Sequence, residues 1–226
     1  MSAAKAHAPG AQRTPLSEER HRVLPVIKDL AAAGAVISVD TMRAAVAAAA
    51  VEAGAVIVND VSGGLADPNM LDTVASVGVA YVANHWRGHA VDMQDRAHYG
   101  DVSSDVADEL RQRVDHALGH GIAPERLIVD PGIGYAKTAE QNWALLADLD
   151  PVIAMGYPVL VGASRKGFLG QLLPGPDGEP RPASHRDDAT TALTVFLATR
   201  GVWAIRTHTA APHRDAIAVA LKTTAR

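Results

Sequence analysis

Three features of the 226-residue sequence predict a parallel α/β fold of the barrel type. Short β-branched apolar runs alternate with longer helical stretches. The runs are apolar throughout instead of at every second residue. Each of six such runs ends in polar or charged residues. Nearly continuous apolar strands between helices mean a parallel sheet covered on both faces. In a β/α barrel the C-terminal strand ends converge on one face, which is where catalysis sits. A doubly wound open sheet brings together only the ends near its switch point. One polar end alone can be a helix cap or a solvated charge; six of six favour convergence.

The elements follow in order. Residues 1–16 read as a flexible tail with Pro9, Gly10 and Pro15, leaving one barrel domain over 17–226. A helix is expected from Ser17, acting as N-cap, to about 33, with Val23, Leu24, Ile27 and Leu30 on one face and Gly34 as its stop. Strand 36–39 ends in Asp40-Thr41. Helix 44–53 stops at Gly54, and strand 55–58 ends in Asn59-Asp60. A helix near 68–76 precedes strand 79–83, which ends in Asn84-His85. Residues 86–102 read as a long polar loop, followed by helix 104–120. Strand 127–129 runs into Asp130-Pro131-Gly132, where proline cannot donate to a ladder and glycine permits the turn. Helix 142–155 is expected to be split by Pro151. Strand 159–161 ends in a segment carrying Ser164 and Lys166, and 174–186 is a Pro/Gly-rich loop. Helix 188–199, strand 202–205 ending in Arg206-Thr207-His208, and helix 212–221 complete the chain.

Composition narrows the function classes. The chain is slightly shorter than the ~250 residues usual for an eightfold barrel, and 48% hydrophobic content is ample for a core. A formal charge of −4 gives no reason to expect nucleic acid as a partner. Cysteine is absent, which excludes disulfides and thiolate metal sites and agrees with a cytoplasmic protein. No stretch is long and apolar enough to span a membrane, and the N-terminal residues lack a signal-peptide core. No GxGxxG follows a strand and no Walker motif occurs, so dinucleotide and P-loop chemistry are disfavoured. His7, His89, His98, His185 and His213 fall in expected loops without metal spacing and read as solvated.

The strand ends suggest a chemistry. Asp40, Asn59 and Asp130 offer carboxylates and an amide to a flat heterocycle carrying several N–H groups, and a buried carboxylate can pair with an aminopyrimidine edge at two points. Lys166, Arg206 and His208 come from the last two strands, the usual anion sector of such barrels. The face thus divides into an acidic heterocycle pocket and a basic sector. Gly132 and Gly134 allow close approach to the backbone, with Tyr135 and Lys137 just beyond.

These segments resemble the dihydropteroate synthases, pterin-binding barrel enzymes of folate synthesis. The matching pieces are ISVDT at 37–41, VNDVSGG at 58–64, NHWRG at 84–88, DPGIGYAK at 130–137, GASRKGFLG at 162–170 and RTH at 206–208. The resemblance implies a TIM-type (β/α)8 barrel and condensation of 6-hydroxymethyl-7,8-dihydropterin diphosphate with 4-aminobenzoate, aided by Mg²⁺, in a homodimer. It implies that Asp40, Asn59 and Asp130 hold the pterin, with Lys166 shaping the pocket and Arg206 stacking on the ring. Ser164 would hold the benzoate carboxylate beside Tyr135, and His208 would contact the diphosphate. Lys166, Arg206 and His208 are the catalytic candidates.

Three departures stand out. The family usually carries Met where this chain has Asn84, and Phe where it has Tyr135. Its first two strands, which include the usual Mg²⁺ ligand, find no counterpart ahead of residue 17, so six strands of eight are expected. Weak pterin binding with little dihydropteroate formation is the expectation for such a chain by itself. Two other readings stay open: a methyltetrahydrofolate-dependent methyltransferase module, and a non-catalytic pterin-binding remnant.

Overall fold

The computed structural model of the chain describes residues 14–89 and 93–224. Six strands are present among the described residues: β1 (Ser38–Asp40), β2 (Ile57–Asp60), β3 (Ala80–Asn84), β4 (Leu127–Asp130), β5 (Leu160–Val161) and β6 (Ala204–Ile205). All ladders are parallel and run in chain order, β1-β2-β3-β4 and β5-β6. The two groups are joined by a parallel bridge between Val129 and Val159, and Val129 N–H donates to the Pro158 carbonyl at 2.9 Å. Among the described residues no ladder joins β6 to β1.

The register fixes the functional face. Asp40 pairs with Asn59 across β1 and β2, and Asn84 with Asp130 across β3 and β4. Because parallel ladders keep strand ends level, the terminal polar residues of neighbouring strands arrive side by side. Beneath them lies one continuous core, including Val39, Val58, Tyr81, Leu127, Val129 and Val161.

Helices α1 (Leu16–Ala32), α2 (Ala44–Glu52), α3 (Met70–Val77) and α4 (Val102–Gly119) alternate with the first four strands. Then come α5 (Ala139–Ala147), α6 (Asp150–Ile153), α7 (Gly167–Leu172), α8 (Asp187–Thr199) and α9 (Ala210–Thr224). The expected split at Pro151 is present, with Pro151 in the first turn of α6, where its missing N–H costs nothing. Thr138 and Gln141 form a reciprocal capping box on α5. One turn of 3-10 helix at Met93–Arg96 interrupts the expected long loop. The short α7 was not anticipated, because six residues carry too little periodicity to register.

Several expectations need correction. Ser17 is not an N-cap: α1 begins one residue earlier behind Pro15, and no side chain caps it. Of the tail expected over 1–16, residues 1–13 lie outside the described residues. Thr14 is tied down through its carbonyl, which accepts from Arg43 Nη2 at 2.6 Å. Leu30 is exposed, whereas Ile27 on the same helix is buried. His213 is no loop residue. It is buried in α9, and its Nδ1 meets Thr194 Oγ1 of α8 at 2.6 Å, pinning the two helices together. His7 lies outside the described residues, while His89, His98 and His185 are exposed, as expected.

The turn after β2 rests on a buried carboxylate. Asp60 has no exposed surface, and its oxygens accept from Ser62 N at 2.9 Å, Ser62 Oγ at 2.7 Å, Gly64 N at 2.7 Å and Tyr81 Oη at 2.9 Å. Burial still pushes its carboxyl above the usual range. Tyr81→Phe removes one donor from this carboxylate and should destabilise the chain by about 1–3 kcal/mol. Urea denaturation of the two proteins measures it; equal midpoints would mean the hydroxyl contributes nothing to the turn.

Candidate active site

The strand ends form a connected polar surface. Asn59 Nδ2 donates to Asp40 Oδ2 at 3.1 Å, and Asn84 Nδ2 donates to Asn59 Oδ1 at 3.2 Å and to the Asp60 carbonyl at 3.1 Å. Asp40, Asn59 and Asn84 are thereby held in a chain across β1, β2 and β3. Asp130, at the end of β4, is 1% exposed. Its Oδ1 accepts the Gly132 N–H at 2.8 Å, and its Oδ2 lies 2.9 Å from Arg206 Nη1. That second contact is an ion pair with poor alignment, so neither atom gains a well-formed hydrogen bond.

The basic groups arrive from β5 and β6. Lys166 Nζ sits 3.7 Å from the centre of the Tyr135 ring, a cation–π contact. Burial, and then the neighbouring Arg206 charge, lower the Lys166 ammonium to about 8, against the pull of Asp130 and Asp40. Burial also works against the Arg206 charge, but Asp130 and Asp40 more than offset it and hold its pKa raised. Ser164 Oγ lies 2.8 Å from His208 Nδ1 and accepts the His208 N–H at 3.3 Å. Arg165, with φ +59°, makes a two-point pair with Asp187 at 2.7 Å and 2.7 Å, which turns it away from its neighbour Lys166.

So the structure brings Asp40, Asp130, Tyr135, Lys166 and Arg206 within electrostatic reach of one another, and Asn59 joins them through its hydrogen bond to Asp40. Ser164 and His208 form a second group, bonded to each other. His208 is exposed as a residue, and partial burial of its ring, followed by the Arg165 charge, lowers its pKa. Among the described residues no three His, Cys, Asp or Glu side chains converge as a metal site. The Mg²⁺ expected from the resemblance thus finds no complete ligand set among them.

Sequence reasoning missed the groups that hold the site from behind. Lys137, read as a cation beyond the loop, is instead 4% exposed. Its Nζ contacts His85 Nδ1 at 3.0 Å, the Gly132 carbonyl at 3.1 Å and the Tyr135 carbonyl at 3.2 Å. An ammonium can donate to His85 Nδ1 only if that nitrogen carries no proton, so the neutral ring bears its hydrogen on Nε2. Nε2 in turn lies 3.0 Å from Glu109 Oε2 of α4. Glu109 also pairs with Arg87, whose guanidinium lies 3.7 Å from the centre of the Tyr99 ring. Tyr99 Oη closes the network by donating to the Ala136 carbonyl at 3.0 Å. Gly132 needs its glycine here: its φ is +66°, and a Cβ would stand 2.3 Å from the His85 carbonyl oxygen. Only the apolar flanks of Lys137 in the sequence hinted at burial.

The comparisons with known proteins fit this geometry. Residues 3–208 match the family model of the pterin binding enzymes. The dihydropteroate synthase of Mycobacterium leprae is 48% identical over 212 residues, 93% of this chain and 75% of that protein. That of Synechocystis is 42% identical over 174 residues, 76% of this chain and 60% of that protein. The structure of the Xanthomonas albilineans dihydropteroate synthase with 4-aminobenzoic acid superposes with a TM-score of 0.89 at 37% identity, covering 98% of this chain and 77% of that one. The chain belongs to the dihydropteroate synthase family, and its fold is the TIM-type β/α barrel of those enzymes.

Burial, and next the Lys137 charge, lower the His85 pKa from 6.5 to about 3. Below pH 6.5 the unfolded chain takes up a proton that the folded chain refuses until about pH 3. Stability should therefore fall progressively across that window. His85→Gln should flatten this decline. Denaturation midpoints measured across the range test it; an unchanged slope in the variant would assign the acid sensitivity to other groups.

Proposed function

We propose that this chain condenses 6-hydroxymethyl-7,8-dihydropterin diphosphate with 4-aminobenzoate to give 7,8-dihydropteroate and pyrophosphate, in place of the weak binding and little turnover expected from the sequence. Another Xanthomonas albilineans structure, of a dihydropteroate synthase in complex with 7,8-dihydropteroate, superposes with a TM-score of 0.85 at 36% identity. The observation that carries the reading is Asp130: a buried carboxylate at a strand end with one oxygen spent on its own turn and the other facing the poorly aligned guanidinium of Arg206. A heterocycle edge with adjacent N–H donors would pair with that carboxylate in place of the poorly aligned guanidinium.

In this proposal Asp40, Asn59 and Asp130 hold the pterin, Lys166 lies along the pocket wall on Tyr135, and Arg206 folds over the ring once displaced from Asp130. The bond between the exocyclic methylene carbon and the diphosphate oxygen breaks, and the diphosphate leaves with both bonding electrons. The carbocation left behind is conjugated with the ring, and the amine nitrogen of 4-aminobenzoate attacks it, then loses a proton. Lys166, Arg206 and His208 stabilise the negative charge that builds on the leaving group. At neutral pH Lys166 stays mostly protonated, because its pKa of about 8 lies above the medium. Ser164 takes the benzoate carboxylate, and its contact with His208 links the two substrates.

The sequence contains no cysteine, and no helix among the described residues is long and apolar enough to cross a membrane. A cytoplasmic location is part of the proposal, as is one domain spanning 17–226.

Asp130→Ala should weaken binding of 6-hydroxymethylpterin by about ten- to a hundredfold, since a charged buried hydrogen bond is worth roughly 1.5–3 kcal/mol. It should also abolish pyrophosphate release in the presence of 4-aminobenzoate. Calorimetry showing wild-type affinity in the variant would remove Asp130 from the pterin site.

The proposed homodimer would form through α8 and α9, whose outward Val195, Phe196, Val219 and Leu221 are exposed while Leu197 fills the core. Light scattering should give twice the chain mass; a monomer at every concentration rejects it.

A further inference from the structure

Asn84 is fully buried at the end of β3, yet its carboxamide oxygen has no hydrogen-bond partner among the described residues. The orientation of the amide is not arbitrary. Nδ2 faces Asn59 Oδ1 at 3.2 Å, the Asp60 carbonyl at 3.1 Å and the Val82 carbonyl at 3.4 Å. All three surroundings are acceptors once Asn59 Nδ2 is committed to Asp40, so exchanging N and O would set oxygen against oxygen. Oδ1 is therefore the end left over, and it lies away from the β2 side that Nδ2 engages.

A second acceptor stands next to it. Asn84 and Asp130 are register partners on adjacent strands, and Asp130 Oδ2 also lacks a well-aligned hydrogen bond. Of these two buried acceptors on paired strand ends, one faces no donor and the other only a poorly aligned guanidinium, so the protein itself leaves part of their desolvation unrelieved. A planar ring presenting separate N–H groups along its rim relieves both at once. An apolar side chain at position 84 would offer the same volume without the acceptor.

We propose that Asn84 is a specificity-determining residue of this site: its Oδ1 accepts a hydrogen bond from the 2-amino group or the N8–H of the bound heterocycle, alongside Asp130, so that this chain reads one more ring donor than a relative with Met at that position. The inference rests on the pterin reading above and deepens it. The class of ligand it selects is a reduced aminopterin, which carries donors at the 2-amino group, N3 and N8, over rings in which one of these is missing. Nδ2 keeps a separate duty, holding Asn59 against Asp40.

The test is a calorimetric titration of the wild-type chain and Asn84→Met with three ligands. They are 6-hydroxymethyl-7,8-dihydropterin, its fully oxidised form, which lacks N8–H, and its 2-deamino form. The complete dihydropterin should bind Asn84→Met roughly tenfold more weakly. For one of the two donor-deleted rings the difference between the proteins should shrink to about twofold or less, because the donor that Asn84 reads is gone. A loss of equal size for all three rings, or no loss, overturns the proposal, since it would place the effect of Asn84 on packing or on Asn59. Should Asn84→Met fail to fold, Asn84→Ser keeps a hydroxyl donor and is read by the same criterion. Asp130→Asn is titrated in parallel. Wild-type affinity there for every ring would sink the pterin reading itself. A weakened Asp130→Asn beside an unchanged Asn84→Met would sink only the role of Asn84.

Discussion

The buried ammonium of Lys137 is the interaction on which the upper end of this barrel depends. Its donors go to the carbonyls of Gly132 and Tyr135 and to His85, so it ties both ends of the loop after β4 to the end of β3. That loop carries Tyr135, and Tyr135 carries Lys166. An ammonium with almost no exposed surface is costly, and burial lowers its pKa to about 7. Asp130 and Glu109 are the charges that favour it, so one carboxylate of the candidate site also supports the lysine behind it.

Charge on the two sides of the site is balanced by geometry more than by neutralisation. Asp40 accepts from the amide of Asn59 while Asp130 lies against Arg206, and both carboxylates favour the Arg206 charge. Lys166 rests on an aromatic face instead of a carboxylate, which keeps a cation beside the acids without consuming either. Arg206 pairs with Asp130 at 2.9 Å, and that pair is poorly aligned. A ligand that displaces it exchanges a poor contact for good ones, which favours entry of a neutral ring with N–H donors.

The fold was legible because parallel strands have a strong sequence signature. Apolar runs of three to five residues, each closed by a polar residue, located the six strands found among the described residues, with starts shifted by two residues at β1, β2 and β6 and by one at β3 and β5. The candidate site was legible for the same reason: Asp40, Asn59, Asp130, Ser164 and Arg206 sit at or just beyond strand ends, where periodicity points. What escaped notice depends on side-chain direction. Nothing in the sequence says that Lys137 turns inward, that His85 is neutral between a lysine and a glutamate, or that His213 is buried between α8 and α9. A histidine in a helix start looks the same solvated or pinned. Ser17 failed as a cap because the helix enters through Pro15, two residues earlier, which leaves Ser17 inside the first turn.

Among the described residues no ladder joins β6 to β1, yet the strands still assemble a site through local register. Each functional side chain is placed relative to its neighbour by a ladder pair or by the residues directly after one. Asp40 is set against Asn59, Asn84 against Asp130, and the Val161–Ile205 pair sets Ser164 near His208. The gap between the two groups is spanned by the Val129–Val159 bridge, one residue below Asp130, and by the Arg206–Asp130 ion pair above it. Closure of a barrel fixes strand tilt over the whole sheet, but these contacts need only the nearest neighbour on each side. The polar face is therefore a local consequence of five adjacent pairings, with the weakest of them, between β4 and β5, lying directly under the proposed pterin pocket.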